Sequence, residues 1–389
     1  MEIYTVKPND NIDQIALTYK VPMDSLIYIN QMVYPYALAL GQALLIPTAN
    51  SAKSRVPAET LGYAYPFISP WVLSESLPYL SSLYVFSYGF TEEGELVEPV
   101  LDDAWMIEAA KGQRTRPVLT FTSIGPDGRF HSSLIHTLLG DLQLQQRIIW
   151  QLGRTMQEKG FKGIDIDFEY IPAEDRVPFA EFVALVRHIL SPFGYRVSVA
   201  LAPKTSSDQP GLLYEGHSYR DLGEAANRVF LMTYEWGYTY GPPMAVAPLP
   251  NVRAVVEYAL TEIPAEKLWL GVPNYGYDWP LPFLQGETRA TSISPQYAVS
   301  LAARYRSSIS YDETAQAPWF RYTDENGTEH EVWFEDARSI RAKLSLIPEY
   351  GLDGAGYWNL MRPFPQNWLV LDSLFIIRET PLPAGLLRS

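Results

Sequence analysis

The 389-residue chain contains no cysteine, which excludes disulfide bonds, thiolate metal sites and a cysteine nucleophile. It has only five histidines, and none of them occurs in the HExxH spacing of zinc hydrolases. The glycine fingerprints of nucleotide-binding loops and the GxSxG motif of serine hydrolases are also absent. No apolar run reaches the roughly 18 residues that a membrane-spanning helix requires. We therefore expect no metal, no cofactor and no membrane partner.

Basic residues are scarce relative to acidic ones, with 30 Lys and Arg against 44 Asp and Glu and a formal net charge of −14. Such a charge repels phosphate backbones, so a nucleic-acid partner is not expected. Aromatic residues, in contrast, are abundant, with 26 Tyr, 16 Phe and 10 Trp. Aromatic rings stack on sugar rings, and they also fill large cores, so the composition fits a carbohydrate-binding protein without requiring one.

The first 48 residues have the pattern of a small separate module. Apolar residues recur at helical spacing after a short initial strand, again after Pro22, and a closing strand precedes Pro47. The predicted order is therefore strand, helix, helix, strand. Residues 49–57 are small and polar and end in Pro, which is typical of a linker.

The module resembles a LysM domain over its whole length, through YTVKPNDNIDQIALTYKVPMDSLIYIN followed by LGQALLIP. LysM domains bind N-acetylglucosamine-containing glycans such as peptidoglycan and chitin in a shallow groove. The resemblance implies that this groove lies at Pro8 to Ile12 and Ile29 to Tyr34. A small helical module that docks a protein partner is the alternative interpretation.

From residue 58 to the end at 389, eight short β-rich runs alternate with helical patterns, which predicts an α/β fold, a (β/α)₈ TIM barrel. The interval between the seventh and eighth runs is much longer than the others, so a small α+β insertion is expected at about residues 280–336. A turn signal at Glu325-Asn326-Gly327 predicts a hairpin within it. The eight runs begin near Gly62, Ser82, Arg116, Phe161, Tyr195, Asn227, Lys267 and Gly354.

Three acids alternate with apolar residues in the fourth of these runs, GIDIDFE. Because strand side chains alternate between faces, Asp165, Asp167 and Glu169 should all point into the barrel. Neighbouring buried carboxylates raise each other's pKa, so they share protons and one of them remains a proton donor near neutral pH. Glu169 is nearest the C-terminal mouth of the barrel and is the predicted donor. A divalent-cation site is the alternative interpretation of three such acids.

GIDIDFE, together with MTYEWG downstream and GYWNL at the eighth run, resembles glycoside hydrolase family 18, whose fourth strand carries Asp-Gly-x-Asp-x-Asp-x-Glu. Lys162 stands here in place of the first Asp. The resemblance implies a substrate-assisted, retaining cleavage of β-1,4 bonds after N-acetylglucosamine. In this mechanism Glu169 protonates the glycosidic oxygen, Asp167 stabilises the ring formed by the substrate's acetamido group, and Asp165 shares a proton with Asp167.

The same resemblance implies the remaining site residues. Tyr234 corresponds to the catalytic tyrosine that binds the acetamido carbonyl, and Trp358 to the apolar floor beneath the sugar at the cleaved bond. Glu235 stands where the family usually has Asp. The residues implied to bind substrate are Trp358, Glu235, Met232, Tyr63, Tyr275 and Tyr277.

A LysM module in front of a family 18 barrel is most similar to the spore germination, cortical-fragment-lytic N-acetylglucosaminidases of bacilli, which commonly carry two LysM repeats where one is visible here. This implies a monomeric peptidoglycan hydrolase of the spore cortex. MEIYTVKPND lacks the features of a secretory signal, so deposition in the spore coat or cortex without a Sec signal peptide is expected, and removal of a leader is the alternative. Alternative functions are a chitinase, an endo-β-N-acetylglucosaminidase acting on other glycans, and a non-catalytic glycan-binding protein of the spore coat or wall.

Overall fold

The N-terminal module is built from two helices and a two-stranded antiparallel sheet, in a computed structural model that describes residues 1–48 and 55–378. The Asn11 side chain caps the first helix by accepting a hydrogen bond from the Gln14 N–H, and Lys20 ends it in the left-handed conformation. The module has its own apolar core, which includes Leu26, Leu44 and Ile46. Its elements are β1 (Glu2–Thr5), α1 (Ile12–Tyr19), α2 (Met23–Ile29) and β2 (Ala43–Ile46).

The remainder of the described chain is a barrel with an inserted sheet. The strands that follow the module are β3 (Val56–Ala64), β4 (Ser82–Phe90), β5 (Leu96–Val97), β6 (Arg116–Thr122), β7 (Gly163–Asp167), β8 (Arg196–Leu201), β9 (Arg228–Leu231), β10 (Leu268–Pro273), β11 (Gly276–Pro280), β12 (Thr291–Ile293), β13 (Ser310–Asp312), β14 (Ala317–Thr323), β15 (Glu329–Trp333), β16 (Gly354–Trp358) and β17 (Phe375–Ile377).

Helices alternate with these strands, and most of them cover the outside of the barrel, whereas α10 (Pro295–Arg304) packs beside the inserted sheet. They are α3 (Pro70–Ser76), α4 (Ala104–Gly112), α5 (Ser132–Gly140), α6 (Leu142–Lys159), α7 (Arg176–Leu190), α8 (Tyr219–Ala225), α9 (Leu249–Glu262), α10 (Pro295–Arg304), α11 (Ala337–Leu344), α12 (Leu346–Tyr350) and α13 (Pro365–Leu374). Among the described residues, no helix is both long and apolar enough to cross a membrane.

Eight parallel strands close the barrel in the order β3, β4, β6, β7, β8, β9, β10 and β16, with β16 pairing back onto β3. Each of the eight predicted runs overlaps one of these strands, so the predicted (β/α)₈ fold is confirmed. The first strand begins at Val56, before the run identified at Gly62, and its first residues pair with β17. Of the linker predicted over 49–57, residues 49–54 lie outside the described residues.

The alternation predicted for the fourth barrel strand is present in the structure. Ile164, Ile166 and Phe168 are fully buried in the core outside the barrel wall. The Phe168 ring lies 5.8 Å from the Phe179 ring and 6.0 Å from the Phe182 ring, both on α7. The outward face of β7 therefore packs against this helix, which leaves the acidic face directed to the barrel interior.

The insertion between the seventh and eighth barrel strands is a five-stranded antiparallel sheet with α10 packed beside it. It begins at Gly276, slightly before the predicted position near 280, because the run NYGYDW leaves the barrel after Pro273. A side chain at Gly276 would place its Cβ 2.3 Å from the Trp333 backbone oxygen, so only glycine permits this approach of β11 and β15. The predicted hairpin is present, with residues 324–328 joining β14 to β15.

Charged pairs occupy the N-terminal end of the barrel. The buried Glu59 carboxylate accepts two hydrogen bonds, of 2.6 and 2.9 Å, from Arg196 Nη1. Arg228 pairs with Asp353 at 2.9 Å at the same end. Because this end is filled by paired side chains, access to the barrel interior is from the C-terminal end, where the carboxylates of β7 lie.

The LysM-like module is fixed to the barrel by hydrogen bonds as well as by apolar contacts. The Gln366 amide, at the start of α13, donates to Asn30 Oδ1 at 2.6 Å and to the Ala43 carbonyl oxygen at 3.2 Å. The Ile309 N–H, ahead of β13, donates to the Leu40 carbonyl at 2.8 Å. The module thus contacts the two sides of the barrel mouth formed by the insertion and by α13.

We expect the Gln366→Ala substitution to lower the free energy of unfolding by about 1–3 kcal/mol, because two hydrogen bonds between the barrel and the module are lost. Asn30 Oδ1 keeps the hydrogen bond that it accepts from the Leu45 N–H. Urea unfolding followed by tryptophan fluorescence measures the change. The matched control is Gln146→Ala, at an exposed glutamine on α6. An unfolding free energy equal to that of the unmodified protein would show that this contact contributes nothing to stability.

Candidate active site

Asp165 is fully buried inside the barrel and is held by two hydroxyl groups. Its Oδ2 accepts a hydrogen bond from the Tyr63 hydroxyl at 2.8 Å, and its Oδ1 accepts one from Ser198 Oγ at 2.6 Å. Strand register explains these contacts, because Asp165 lies opposite Ser198 on β8. Burial raises the pKa of Asp165 to about 6, although the two hydrogen bonds oppose the shift.

Asp167, the last residue of β7, lies between the other two acids and is poorly satisfied. Within residues 1–48 and 55–378, its buried Oδ1 has no hydrogen-bond partner. Burial raises the pKa of Asp167 well above its ordinary value, and the negative charges of Glu169 and then Asp165 add to the shift. A buried carboxyl oxygen without a partner is costly, so Asp167 favours either a proton or a polar ligand group.

Glu169 lies just beyond the end of β7, not on the strand itself, and is partly exposed at the barrel mouth. Burial raises the pKa of its carboxyl, and the nearby negative charge of Glu235 raises it further. The next residue, Tyr170, has a φ of +56°, a left-handed conformation that is uncommon for a tyrosine. Such local strain is often found at functional sites, and here it adjoins the predicted proton donor.

Glu235 is also in the left-handed region, with a φ of +69°, and two tyrosines hold its carboxylate. The Tyr275 hydroxyl donates to Oε1 at 2.5 Å and the Tyr277 hydroxyl donates to the same oxygen at 3.0 Å. Burial raises the pKa of Glu235, whereas these hydrogen bonds lower it. The Glu235 side chain is longer than that of the Asp expected at this position. Contacts from Tyr275 and Tyr277, which follow the seventh barrel strand, therefore fix it in place.

These residues meet in one cavity of about 470 Å³ at the C-terminal end of the barrel. Tyr234 is buried there. Burial raises the pKa of Tyr234 well above that of a free tyrosine, and the negative charges of Asp167, Glu169 and Glu235 raise it further. The half-buried Trp358 ring packs edge-on against Phe86 at 4.9 Å. The predicted site residues that line this cavity are Tyr63, Asp167, Glu169, Met232, Tyr234, Glu235 and Trp358.

A second cavity of about 440 Å³ continues from the first, because Glu235 and Trp358 line both. Tyr275 and Tyr277 lie in this second cavity and do not line the first. Asp165 lines neither, since it is behind Tyr63 and Ser198. The structure thus brings together every predicted catalytic and substrate-binding residue. All of them line one or both of two adjoining cavities except Asp165, which is buried beside the first.

Several residues of the two cavities were not predicted. Ser198, which lines neither cavity but holds Asp165, was also missed; it could have been found, because it is the polar inward residue of the run RVSVAL. The cavity residues that were missed carry no local signal, since most of them follow strands in irregular segments and Ser292 lies on the short strand β12 of the insertion. In the first cavity they include Tyr170, Tyr214, Trp236 and Tyr238, and in the second they are Tyr65, Phe67, Ser292, Asn359, Met361 and Arg362.

The two segments predicted for the LysM groove have different surroundings. The first, at Pro8 to Ile12, contains an exposed turn whose Asp10 carboxylate accepts hydrogen bonds from the Tyr4 hydroxyl and the Lys7 N–H. In the second, Ile29 and Asn30 are buried against the barrel, whereas Tyr34 is 81% exposed. Among the described residues, no group of three or more His, Asp or Glu is arranged to hold a metal ion.

Comparison with known families decides the classification. The family described as glycosyl hydrolases family 18 matches residues 83–362, and the LysM domain matches residues 4–47. The chain belongs to glycosyl hydrolase family 18. The family 18 match spans the second to eighth barrel strands and includes Asp165, Asp167, Glu169 and Glu235, and the LysM match spans the N-terminal module.

Relatives and solved structures agree with this assignment. The cortical fragment-lytic enzyme of Bacillus subtilis (strain 168) is 41% identical, over 98% of this chain and 100% of the relative. The crystal structure of the Bacillus megaterium QM B1551 spore cortex-lytic enzyme SleL superimposes with a TM-score of 0.90 and 35% identity, over 97% of this chain and 98% of that one. A chitinase from Chromobacterium violaceum ATCC 12472 gives a TM-score of 0.75 at 25% identity, covering 81% and 98%. The chain is therefore a family 18 glycosylase homologous to spore cortex-lytic enzymes.

Proposed function

We propose that this protein hydrolyses spore-cortex peptidoglycan at the β-1,4 bond after N-acetylglucosamine, by a substrate-assisted mechanism that retains configuration. The observation that carries the proposal is Asp167, which lies beside Glu169 and Tyr234 in one cavity and whose buried Oδ1 has no hydrogen-bond partner among the described residues. An acetamido N–H is a donor that fits this oxygen, and the neighbouring phenol supplies a donor for the acetamido carbonyl.

In the first step, the protonated Glu169 carboxyl donates its proton to the glycosidic oxygen as the C1–O bond breaks. The acetamido carbonyl oxygen of the substrate forms a bond to C1 and closes an oxazolinium ring, whose positive charge the Asp167 carboxylate stabilises. The charge of Asp167 is available because Asp165, whose pKa is raised by burial, takes up a proton in its place.

In the second step, the Glu169 carboxylate removes a proton from water as the water oxygen attacks C1. The ring opens, the acetamido group is restored, and the new hydroxyl at C1 has the configuration of the original bond. The Trp358 ring supplies an apolar surface for the sugar at the cleaved bond. Glu235, held by Tyr275 and Tyr277, faces the same sugar and increases the proton affinity of Glu169.

The LysM module would bind the same polymer and keep the barrel close to its substrate, which raises the local concentration of cleavable bonds. Similarity to cortical fragment-lytic enzymes over nearly the whole chain supports the spore as the site of action. A GlcNAc-containing polysaccharide is thus the proposed partner of both parts of the protein.

Product analysis by mass spectrometry tests this proposal directly. We expect digestion of spore-cortex muropeptides to release fragments with N-acetylglucosamine at the reducing end. Cleavage of chitin oligomers without cleavage of cortex would reassign the protein as a chitinase. Binding of both glycans with cleavage of neither would identify it as a glycan-binding coat or wall protein.

The pH profile gives a second prediction. The donor must be protonated, so kcat/KM should fall as pH rises through the raised pKa of Glu169. Replacing Glu235 by Gln removes the negative charge that contributes to this shift, so the pKa of Glu169 falls and the alkaline limb should move to lower pH. Glu224→Gln, at an exposed position, is the matched control. An alkaline limb that stays in place or moves upward would contradict the assigned coupling.

A further inference from the structure

The residues that line the two adjoining cavities carry more negative than positive charges. Three carboxylates line them, at Asp167, Glu169 and Glu235. Among the described residues that line the cavities, Arg362 is the only Lys or Arg. The catalytic step accounts for the carboxylates but assigns nothing to this cation.

Arg362 is held in position by a residue of the insertion. Its Nη1 donates to Ser292 Oγ at 3.0 Å and its Nη2 donates to the Ser292 carbonyl oxygen at 3.2 Å. Its own carbonyl oxygen accepts a hydrogen bond from the Asn274 amide at 3.4 Å. These contacts orient the guanidinium between the segment after β16 and the β12 edge of the inserted sheet, and they use only part of its five N–H groups.

The guanidinium has no acidic partner in the described part of the chain, although it is partly desolvated. Its two hydrogen bonds to Ser292 go to neutral oxygen atoms. Burial lowers the pKa of Arg362, and the phenols of Tyr277 and Tyr275 oppose this shift. A half-buried cation without a carboxylate partner is suited to an anionic ligand group in the cavity.

The second cavity also has the form expected of a binding site for a sugar adjacent to the cleaved bond. Trp358 lines both cavities, so a polymer whose N-acetylglucosamine lies over this ring continues into the second one. Tyr65 and Phe67 stack at 5.0 Å on another part of the wall, and the Phe67 side chain is 64% exposed. Arg362 therefore faces the next sugar of the chain.

In peptidoglycan, each N-acetylglucosamine is flanked on both sides by N-acetylmuramic acid, so the neighbouring sugar carries a lactyl group whichever way the polymer runs. We infer that Arg362 binds a carboxylate on this muramic acid residue and selects acidic peptidoglycan over neutral chitin. The inference rests on the proposed function. The carboxylate is either the free lactyl group or the end of a stem peptide attached to it.

The test compares dissociation constants measured by isothermal titration calorimetry in the Glu169→Gln background, where substrate is not consumed. The probes are matched tetrasaccharides: one with free lactyl groups, one with stem peptides, one with muramic lactam, and chitotetraose. We expect Arg362→Gln to weaken binding of a carboxylate-bearing probe by about 10- to 100-fold and to abolish its salt dependence. Binding of lactam and chitotetraose should change by less than about twofold, since these two probes are neutral at the relevant sugar.

Comparison of the probes shows which carboxylate Arg362 binds. Loss confined to the free-lactyl probe identifies that carboxylate, and loss confined to the stem-peptide probe identifies the peptide carboxylate. Arg362→Lys should restore part of the lost affinity, because it restores the charge without the paired N–H groups. Arg289→Gln is the matched control, since this arginine lies over the Tyr240 ring and lines neither cavity.

Equal weakening of the binding of all four probes would overturn the inference, because Arg362 would then act only through the shape of the cavity. No change in the binding of any probe would overturn it as well. The kcat/KM values of the protein with intact Glu169 are measured on the same probes. Failure of this protein to cleave any probe would refute the proposed hydrolysis, while the dissociation constants would still decide the role of Arg362.

Discussion

The Glu169→Gln substitution is expected to reduce kcat on cortex fragments by about 10²- to 10⁴-fold while leaving the dissociation constant within severalfold. Gln has nearly the same shape as Glu but cannot donate a proton to the glycosidic oxygen or remove one from water. Burial and the negative charge of Glu235 raise the pKa of Glu169, which favours the protonated carboxyl that the first step requires. Initial rates from reducing-end assays and binding by calorimetry measure the two effects separately.

Glu174→Gln is the matched control for this substitution, because Glu174 is exposed and lies in the segment that follows the donor. A second comparison uses an aryl β-glycoside of chitobiose with a good leaving group. Departure of such a group needs little protonation, so the first step should be much less impaired in Glu169→Gln on this substrate. An equal loss on the aryl glycoside and the natural polymer would exclude Glu169 as the proton donor.

Asp167→Asn is expected to lower kcat by about 10²- to 10³-fold, through loss of electrostatic stabilisation of the oxazolinium ring. The Asn side chain retains an oxygen for the acetamido N–H but carries no negative charge. Here the loss should persist on the aryl glycoside, because ring closure is required whatever the leaving group. Rates on both substrates, measured side by side with those of Glu169→Gln, distinguish the two roles.

The matched control for Asp167→Asn is Asp208→Asn, at an exposed position outside the cavity. Thermal unfolding of the variant should show no loss of stability, since the substitution removes a buried carboxyl group whose ionisation is disfavoured. A defect on the polymer that disappears on the aryl glycoside would contradict the stabilising role assigned to Asp167.

Strand alternation explains why the acidic residues could be predicted from the sequence. Asp165 and Asp167 are separated by one residue on β7, so their common orientation follows from backbone geometry alone. The same local reasoning predicted the apolar face that packs on α7 and the hairpin between β14 and β15. The orientation of Glu169 does not follow from strand geometry in the same way, because β7 ends at Asp167. Glu169 lies between the end of this strand and Tyr170, which has a left-handed conformation.

The supports of these acids could not be predicted in the same way. Tyr63 and Ser198 reach Asp165 from sequence positions 102 and 33 residues away, and only closure of the barrel brings the three together. Tyr275 reaches Glu235 because the chain leaves the barrel after Pro273 and turns at Gly276. Hydrogen bonds of this kind depend on the distances between strands and loops that are far apart in sequence. The periodicity of residues within one segment does not predict these distances.

The sequence by itself determined the order of strands and helices, the division into a LysM module and a barrel, and the positions of the three acids. These follow from short-range periodicity and from motifs within single segments. The tertiary structure decided the protonation of those acids, the contact of Gln366 with the module, and the placement of Arg362 beside the cleft. Each of these depends on burial and on side chains that are distant in sequence, because desolvation and hydrogen bonding are set by the packed neighbours of a group.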